Sequence, residues 1–254
     1  MSPDIEIIGD GCAALSLAAR ASELSHNIRL IKPSNAPITN DHVWGFWSDP
    51  ILAPAQQLAR ATWQKWAIIT HNDCAVLSSE TRPYNAFKRS DWSKHCKGLA
   101  ELSKVTIVAE HEWEKSAESL LFDTRPPVVP NDCMLQHFQG IEVKSKQPCF
   151  DKDMAILMDF RVDQSRGMHF IYLLPYSATE ALVESTLFST ELVDEEFYST
   201  SIEGYLKEHC KVEEFSITHQ EKGVIPLGKL APHDAKIPGL GSNAGATRPA
   251  SGYA

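Results

Sequence analysis

The sequence has no run of about 18 uninterrupted apolar residues, so it offers no segment able to cross a bilayer as a helix. It also lacks a basic stripe. Net charge is −9, with acidic and basic residues mixed along the chain, which argues against nucleic acid as a partner. The six cysteines (Cys12, Cys74, Cys96, Cys133, Cys149 and Cys210) are scattered, with no C-x-x-C pair and no histidine at ligand spacing. That scatter predicts neither a zinc site nor a disulfide framework and points to a reducing cytosol. The chain opens Met1-Ser-Pro-Asp4 rather than with a basic patch and an apolar run, so no signal peptide is expected. Internal repeats and low-complexity segments are missing as well. What is present, 254 residues with 43% hydrophobic and 22% charged, is enough for one large α/β domain or two small ones.

Residues 4–31 carry the clearest pattern. Asp4-Ile-Glu-Ile-Ile8 reads as a buried strand, Gly9-Asp-Gly-Cys-Ala-Ala14 as a tight turn, Ala13 to Leu24 as a helix, and Asn27-Ile-Arg-Leu-Ile31 as a second strand. Pro33 and Pro37 then close the unit in a loop. The turn has the form Gly9-x-Gly11-x-x-Ala14, the arrangement that lets a dinucleotide pyrophosphate approach the backbone at a helix N-terminus. Ala14 stands where a small residue must let helix and strand pack closely. The acidic residue that commonly holds the ribose at the end of the second strand is absent, and Lys32 occupies that place. Lys32 favouring a phosphate, or Ser34 or Asn35 taking the ribose, both remain open.

Residues 40–100 are mixed and aromatic, with a helix expected around Trp63 and Trp66. Short strands are expected at 105–108 and 120–125. From Met134 onward the period changes to two, giving strands at 134–143, 155–162, 168–174 and 181–189. A helix (Glu195–His209) follows, then strands at 214–218 and 223–226 and a Gly-rich end. This order predicts an α/β fold in which an FAD/NAD(P)-binding Rossmann-like domain is interrupted by a sheet-rich substrate domain. The expected boundaries are 1–75 and 111–133 for the nucleotide-binding part, with 76–110 mixed. Residues 134–222 form the substrate domain, and 223–254 return to the nucleotide.

Within the period-two region stand Gln136-His-Phe-Gln-Gly140, Met158-Asp-Phe-Arg161, His169-Phe-Ile-Tyr-Leu-Leu-Pro175 and Leu182-Val-Glu-Ser-Thr186, in that order. Together with Val43-Trp-Gly-Phe46, Arg82-Pro-Tyr84, Phe122-Asp-Thr-Arg125 and the segment Gly239 to Tyr253, they resemble the lycopene β-cyclase family of carotenoid flavoproteins. The resemblance covers nearly the whole chain. It implies a two-part flavoprotein that binds FAD, uses it reduced with NAD(P)H as the source of electrons, and isomerises lycopene ends to β-ionone rings without net redox change. It further implies Arg125, Gly241, Gly245 and Gly252 as cofactor contacts beside Gly9, Gly11 and Ala14. It implies a chain truncated at the C-terminus and inactive as a fragment. Because lycopene dissolves in bilayers, a cytoplasmic protein peripheral to the inner face of the membrane is expected.

Glu184 is the leading candidate for the acid. It interrupts the apolar run Ala181-Leu-Val-Glu-Ser-Thr-Leu-Phe188, sharing a strand face with Leu182, Thr186 and Phe188. A carboxyl in such surroundings stays protonated near neutral pH, because losing water disfavours its charged form. It also matches the acidic residue of the family's cyclase motif. Asp159 and Arg161 share a face at i, i+2, where a site role and a structural ion pair are equally open. Trp44, Phe46, Phe170 and Tyr172 can line a polyene tunnel and face a cation, or simply pack. His137 and His169 have no partner pattern. The alternatives are another FAD-dependent oxidoreductase of hydroxylase or prenyl reductase type, or an inactive remnant. The order Gln136, Asp159, Glu184 favours the cyclase.

Overall fold

The computed structural model describes residues 4–36 and 41–253. Met1–Pro3, Pro37 and Ala254, on which some sequence expectations fall, lie outside them. Elements in the first half are β1 (Ile5–Ile8), α1 (Cys12–Ala18), α2 (Ala21–Leu24), β2 (Ile28–Lys32), β3 (Val43–Trp47), α3 (Ala53–Gln56), β4 (Ala61–Trp63), β5 (Lys65–Ile69), β6 (Cys74–Ser78) and β7 (Tyr84–Lys88). Then come α4 (Arg89–Leu102), β8 (Thr106–Ala109), β9 (Leu120–Asp123), β10 (Leu135–Ser145), β11 (Met154–Asp159), β12 (Met168–Pro175), β13 (Glu180–Ser189), α5 (Glu195–Glu208) and β14 (Phe215–Pro226). They divide into two units: Met1–Thr39 with Ser90–Cys133 and Pro226–Ala254, and Asn40–Arg89 with Met134–Ile225. Residues 40–75, expected with the nucleotide-binding part, lie in the second unit because β3, β4 and β5 pair with strands there.

The first unit is a parallel sheet in the order β8-β2-β1-β9. Counted within the unit, that is third-second-first-fourth, the half-sheet order of a Rossmann fold. Parallel strands need both faces covered, and Ile7, Ile28 and Leu30 are buried with Ala14, Leu15 and Ala18 of α1 and Cys96 and Ala100 of α4. The α1 segment is shorter than the sequence predicts. The Arg20 N–H bonds the Leu17 carbonyl three residues back, a tightened turn that ends the helix before α2 begins. Helix α4 was not anticipated, since its buried contacts are only Cys96 and Ala100.

The second unit holds a seven-stranded sheet, β14-β10-β13-β12-β11-β5-β6, and a three-stranded sheet, β3-β7-β4. Odd-numbered residues of β12 and β13 (Ile171, Leu173, Ala181, Val183) pack against Ile202, Tyr205 and Leu206 of α5. Even-numbered residues point to the other face. There the small sheet meets them: the Trp63 Nε1–H donates to the Pro175 carbonyl and Tyr84 packs edge-on against Tyr172. Residues 181–188 of β13 are consequently buried on both faces.

Two further expectations need correction. Trp63 and Trp66 lie on strands, not on a helix, because β5 pairs with both β6 and β11 and fully buried Trp63 follows exposed Thr62 in strand alternation. The expected strands at 214–218 and 223–226 are one strand, β14. Gly223 stays within it because the Phe138 ring fills the space of its missing side chain, with an added Cβ only 2.6 Å from Cζ.

Candidate functional sites

In the first unit the Gly9–Ala14 turn joins β1 to α1. Gly9 has φ +126°, and a Cβ there would stand 1.9 Å from Thr124 Oγ1, so the position accepts only glycine. Gly11 has open space where a Cβ would go, Ala14 is fully buried, and no acidic residue occupies the first turn of α1. These features suit a phosphate approaching the backbone. The Gly-rich end of the chain returns to this turn: Gly241, at φ +63°, faces Ala13, where a Cβ would lie 2.6 Å away. It is anchored by the Leu240 N–H and the Asn243 amide, which both donate to the Asp123 carbonyl at the end of β9. Gly245 and Gly252 both have positive φ.

Arg125 is committed elsewhere. Its Nε and Nη2 donate to both oxygens of buried Asp123 at 3.0 and 2.7 Å. At the end of β2, Lys32 is exposed, and the residue that directly follows the neighbouring β8 supplies an acid that sequence position did not reveal. Glu110 accepts the Ser34 N–H at 2.9 Å.

In the second unit Glu184 sits on the even face of β13 with 8% of its surface exposed. Thr186 donates its hydroxyl to Glu184 Oε1 at 2.7 Å. Burial pushes the carboxyl up to about 7 against that hydrogen bond, so it holds its proton near neutrality. Across the sheet Glu184 pairs with Tyr172 of β12. The Tyr172 hydroxyl is hydrogen-bonded to that of Tyr84 beside Gly45, whose lack of a side chain leaves room for both. Phe46 and Trp44 pack edge-on against Phe87, and Phe170 lies between Phe160 and Phe188. The arrangement is a buried carboxyl, raised toward neutrality, directly across the strand pair from Tyr172.

Asp159 and Arg161 do not join it. Asp159 pairs with Ile171 and accepts the Tyr205 hydroxyl at 2.8 Å, which places it on the α5 face, opposite Glu184. Arg161 grips both its oxygens at 2.9 and 2.6 Å. Burial alone would raise this carboxyl, but bonds from Arg161 and Tyr205 hold it below the usual carboxylate range. The geometry repeats that of Asp123 and Arg125 and is that of a clamp at a strand end. The two histidines are also committed: His169 to the Asp163 carbonyl and Ser185, His137 to Tyr198 and Ser189.

Two residues beside Glu184 escaped the sequence reading. Glu142 of β10 is gripped by Arg60 and lies 3.6 Å from Lys88, and Glu221 of β14 is 2% exposed. An acid between Ile141 and Val143 was a signal available for Glu142. Glu221 stands in the polar stretch His219-Gln-Glu-Lys222, which reads as a solvated turn.

Against known families, residues 4–254 match the profile described as lycopene cyclase protein. The chain belongs to the lycopene cyclase family. It is 30% identical to a lycopene beta-cyclase of a Paracoccus species, over 100% of this chain and 70% of that protein. It is 26% identical to the chloroplastic lycopene beta cyclase of Arabidopsis thaliana, over 98% of this chain and 56% of that protein. This member of the lycopene cyclase family therefore spans only part of its relatives' length. Its fold is shared with a geranylgeranyl bacteriochlorophyll reductase-like protein from Thermoplasma acidophilum (TM-score 0.75, 12% identity, 99% of this chain and 73% of that one). It is also shared with the flavin-dependent brominase Bmp2 (TM-score 0.65, 11% identity, 95% and 72%).

Proposed function

We propose that the protein of which this chain forms part closes the ends of lycopene into β-ionone rings, with Glu184 as the acid. The observation that carries the reading is a buried carboxyl, protonated near neutrality, on an apolar sheet face beside Tyr172. Glu184 gives its proton to a terminal double bond, and the resulting cation is attacked by the neighbouring double bond, forming the ring's new C–C bond. Loss of a proton from the ring restores a double bond, so the product is an isomer and nothing is oxidised or reduced. Desolvation makes the carboxyl a competent acid toward a hydrocarbon, and aromatic faces stabilise a passing cation.

The Gly9–Ala14 turn with Gly241 is the part that would hold FAD, since its backbone positions leave the approach that a pyrophosphate needs. When bound and reduced at the expense of NAD(P)H, the flavin supplies an electron-rich ring that favours positive charge in the polyene. With Arg125 committed to Asp123, this chain's phosphate contacts fall to backbone N–H groups rather than to that guanidinium. Lycopene resides in the bilayer, so the protein meets the membrane peripherally from the cytoplasmic side. Among the described residues no helix is long and apolar enough to cross it.

The test is expression of the full-length gene in bacteria that accumulate lycopene. The red pigment turns yellow-orange with the wild type and stays red with a folded, flavin-loaded Glu184→Gln variant. Normal cyclisation by that variant removes the acid assignment. A flavin-loaded wild type that leaves lycopene unchanged points instead to a hydroxylase or reductase.

A further inference from the structure

Lys32, at the end of β2, has the wrong charge to accept hydrogen bonds from a ribose, yet a carboxylate reaches the same place from the next strand. β2 and β8 run parallel with Lys32 opposite Ala109. Pro33, having no N–H, cannot extend the ladder. Glu110 follows Ala109 and lays its side chain over the end of β2, where Oε2 accepts the Ser34 N–H at 2.9 Å. Its other oxygen, Oε1, has no hydrogen-bond partner among the described residues, and the side chain is only half-buried. The glycine turn stands on the same sheet edge. Gly9 directly follows β1, and its N–H donates to the Ile31 carbonyl at 2.8 Å, one residue before Lys32. Neighbouring strands lie about 4.8 Å apart, so the turn, Lys32 and Glu110 line up across about 10 Å of one edge. All of them belong to the first unit.

We propose that Glu110 is the ribose-binding carboxylate of this nucleotide site, and that it selects an adenosine with a free 2′,3′-diol over one carrying a 2′-phosphate. The inference rests on the flavin reading and deepens it. A pyrophosphate seated at the Gly9–Ala14 turn sends its adenosine along the strand ends, from β1 across β2 toward β8. There the diol meets Glu110. Ribose hydroxyls donate, an ionised carboxylate only accepts, and a hydrogen bond to a charged oxygen is the stronger kind. The contact to Ser34 fixes the carboxylate over the end of β2 while leaving Oε1 for the ligand. A 2′-phosphate would instead set two negative groups against each other. Lys32 does not cancel that repulsion, because it is exposed and its charge is screened by water. The acid expected on β2 has thus moved to β8, and the site keeps its preference for a diol.

The test is titration of the flavin-free full-length protein with FAD, followed by flavin fluorescence, with ADP, 2′-deoxy-ADP and adenosine 2′,5′-bisphosphate as competitors. For the wild type, ADP competes roughly tenfold better than 2′-deoxy-ADP and also better than the bisphosphate. Glu110→Gln keeps an oxygen for the Ser34 N–H, so the loop stays in place and only the charge is lost. FAD then binds roughly tenfold more weakly, and the preference for ADP over 2′-deoxy-ADP shrinks toward one. A preference that Glu110→Gln leaves unchanged overturns the assignment whatever happens to overall affinity, and makes Glu110 a loop anchor. Should the variant fail to fold, the wild type decides, since equal competition by ADP and 2′-deoxy-ADP overturns it too. A bisphosphate that outcompetes ADP, and loses that advantage in Lys32→Ala, overturns it in favour of a phosphate held by Lys32. The two levels separate cleanly. A wild type that binds neither FAD nor ADP removes the flavin reading along with this inference, whereas one that binds both with no diol preference removes the ribose contact alone.

Discussion

Replacing Glu184 by Gln removes a titrating group from the middle of β13 with almost no change of shape, and stability should respond in a pH-dependent way. Burial pushes this carboxyl from the ordinary 4.5 up to about 7 in the folded chain. Between those values the folded state binds more protons than the unfolded one, so stability falls as pH rises through that window. At 1.36 kcal/mol per unit, Glu184 alone accounts for a loss of about 3 kcal/mol. Glu221, raised to about 9, adds a loss of the same sign that starts at the same low pH and continues further up. Urea unfolding of the 254-residue chain, followed by tryptophan fluorescence, measures this directly. Trp44, Trp47, Trp63 and Trp66 lie in the same unit as Glu184 and report on it. Between about pH 5 and pH 8 the variant should lose about 3 kcal/mol less than the wild type. The comparison is of slopes, so any constant cost of the Gln amide cancels. Parallel pH dependences would mean that Glu184 ionises in water-like surroundings, and the dry acid on which the chemistry depends would be refuted.

Asp159→Ala leaves the buried Tyr205 hydroxyl without its acceptor, at about 1–3 kcal/mol, while Arg161 is exposed enough to be rehydrated at smaller cost. Chemical denaturation should show a destabilisation of that size, and cyclisation by the surviving folded enzyme should persist; lost cyclisation at unchanged stability would restore a site role. Gly9→Ala forces a Cβ into Thr124 Oγ1 at φ +126°, a strain of about 1–3 kcal/mol or more. The thermal midpoint should fall and the purified full-length protein should carry less flavin by absorbance, and a variant with unchanged flavin content would remove the turn from the cofactor site.

The β-rich middle was legible because β-forming residues run between turn signals. Residues 181–188 were expected on a strand and lie on β13, but their burial is unbroken rather than alternating, because α5 covers one face and the small sheet the other. The helix expected around Trp63 and Trp66 failed because short aromatic runs carry no period of their own. Pairing with β6 and β11 settled their conformation from outside. Asp159 and Arg161 at i, i+2 looked equally like a site and a clamp. Only the position of α5, which delivers Tyr205 to Asp159, put them on the face away from Glu184.

The sequence by itself determined the local steps: a glycine turn that only a βαβ unit needs, a period-two region, and one acid out of place in an apolar strand. Those are matters of neighbouring residues and their periodicity. Only the tertiary structure decided which acids share a face, because strand order brings Gly140 between Glu184 and Glu221, positions 37 residues apart in sequence. A carboxyl's proton affinity depends on the charges and water around it. Those are set by strands that no local pattern brings together.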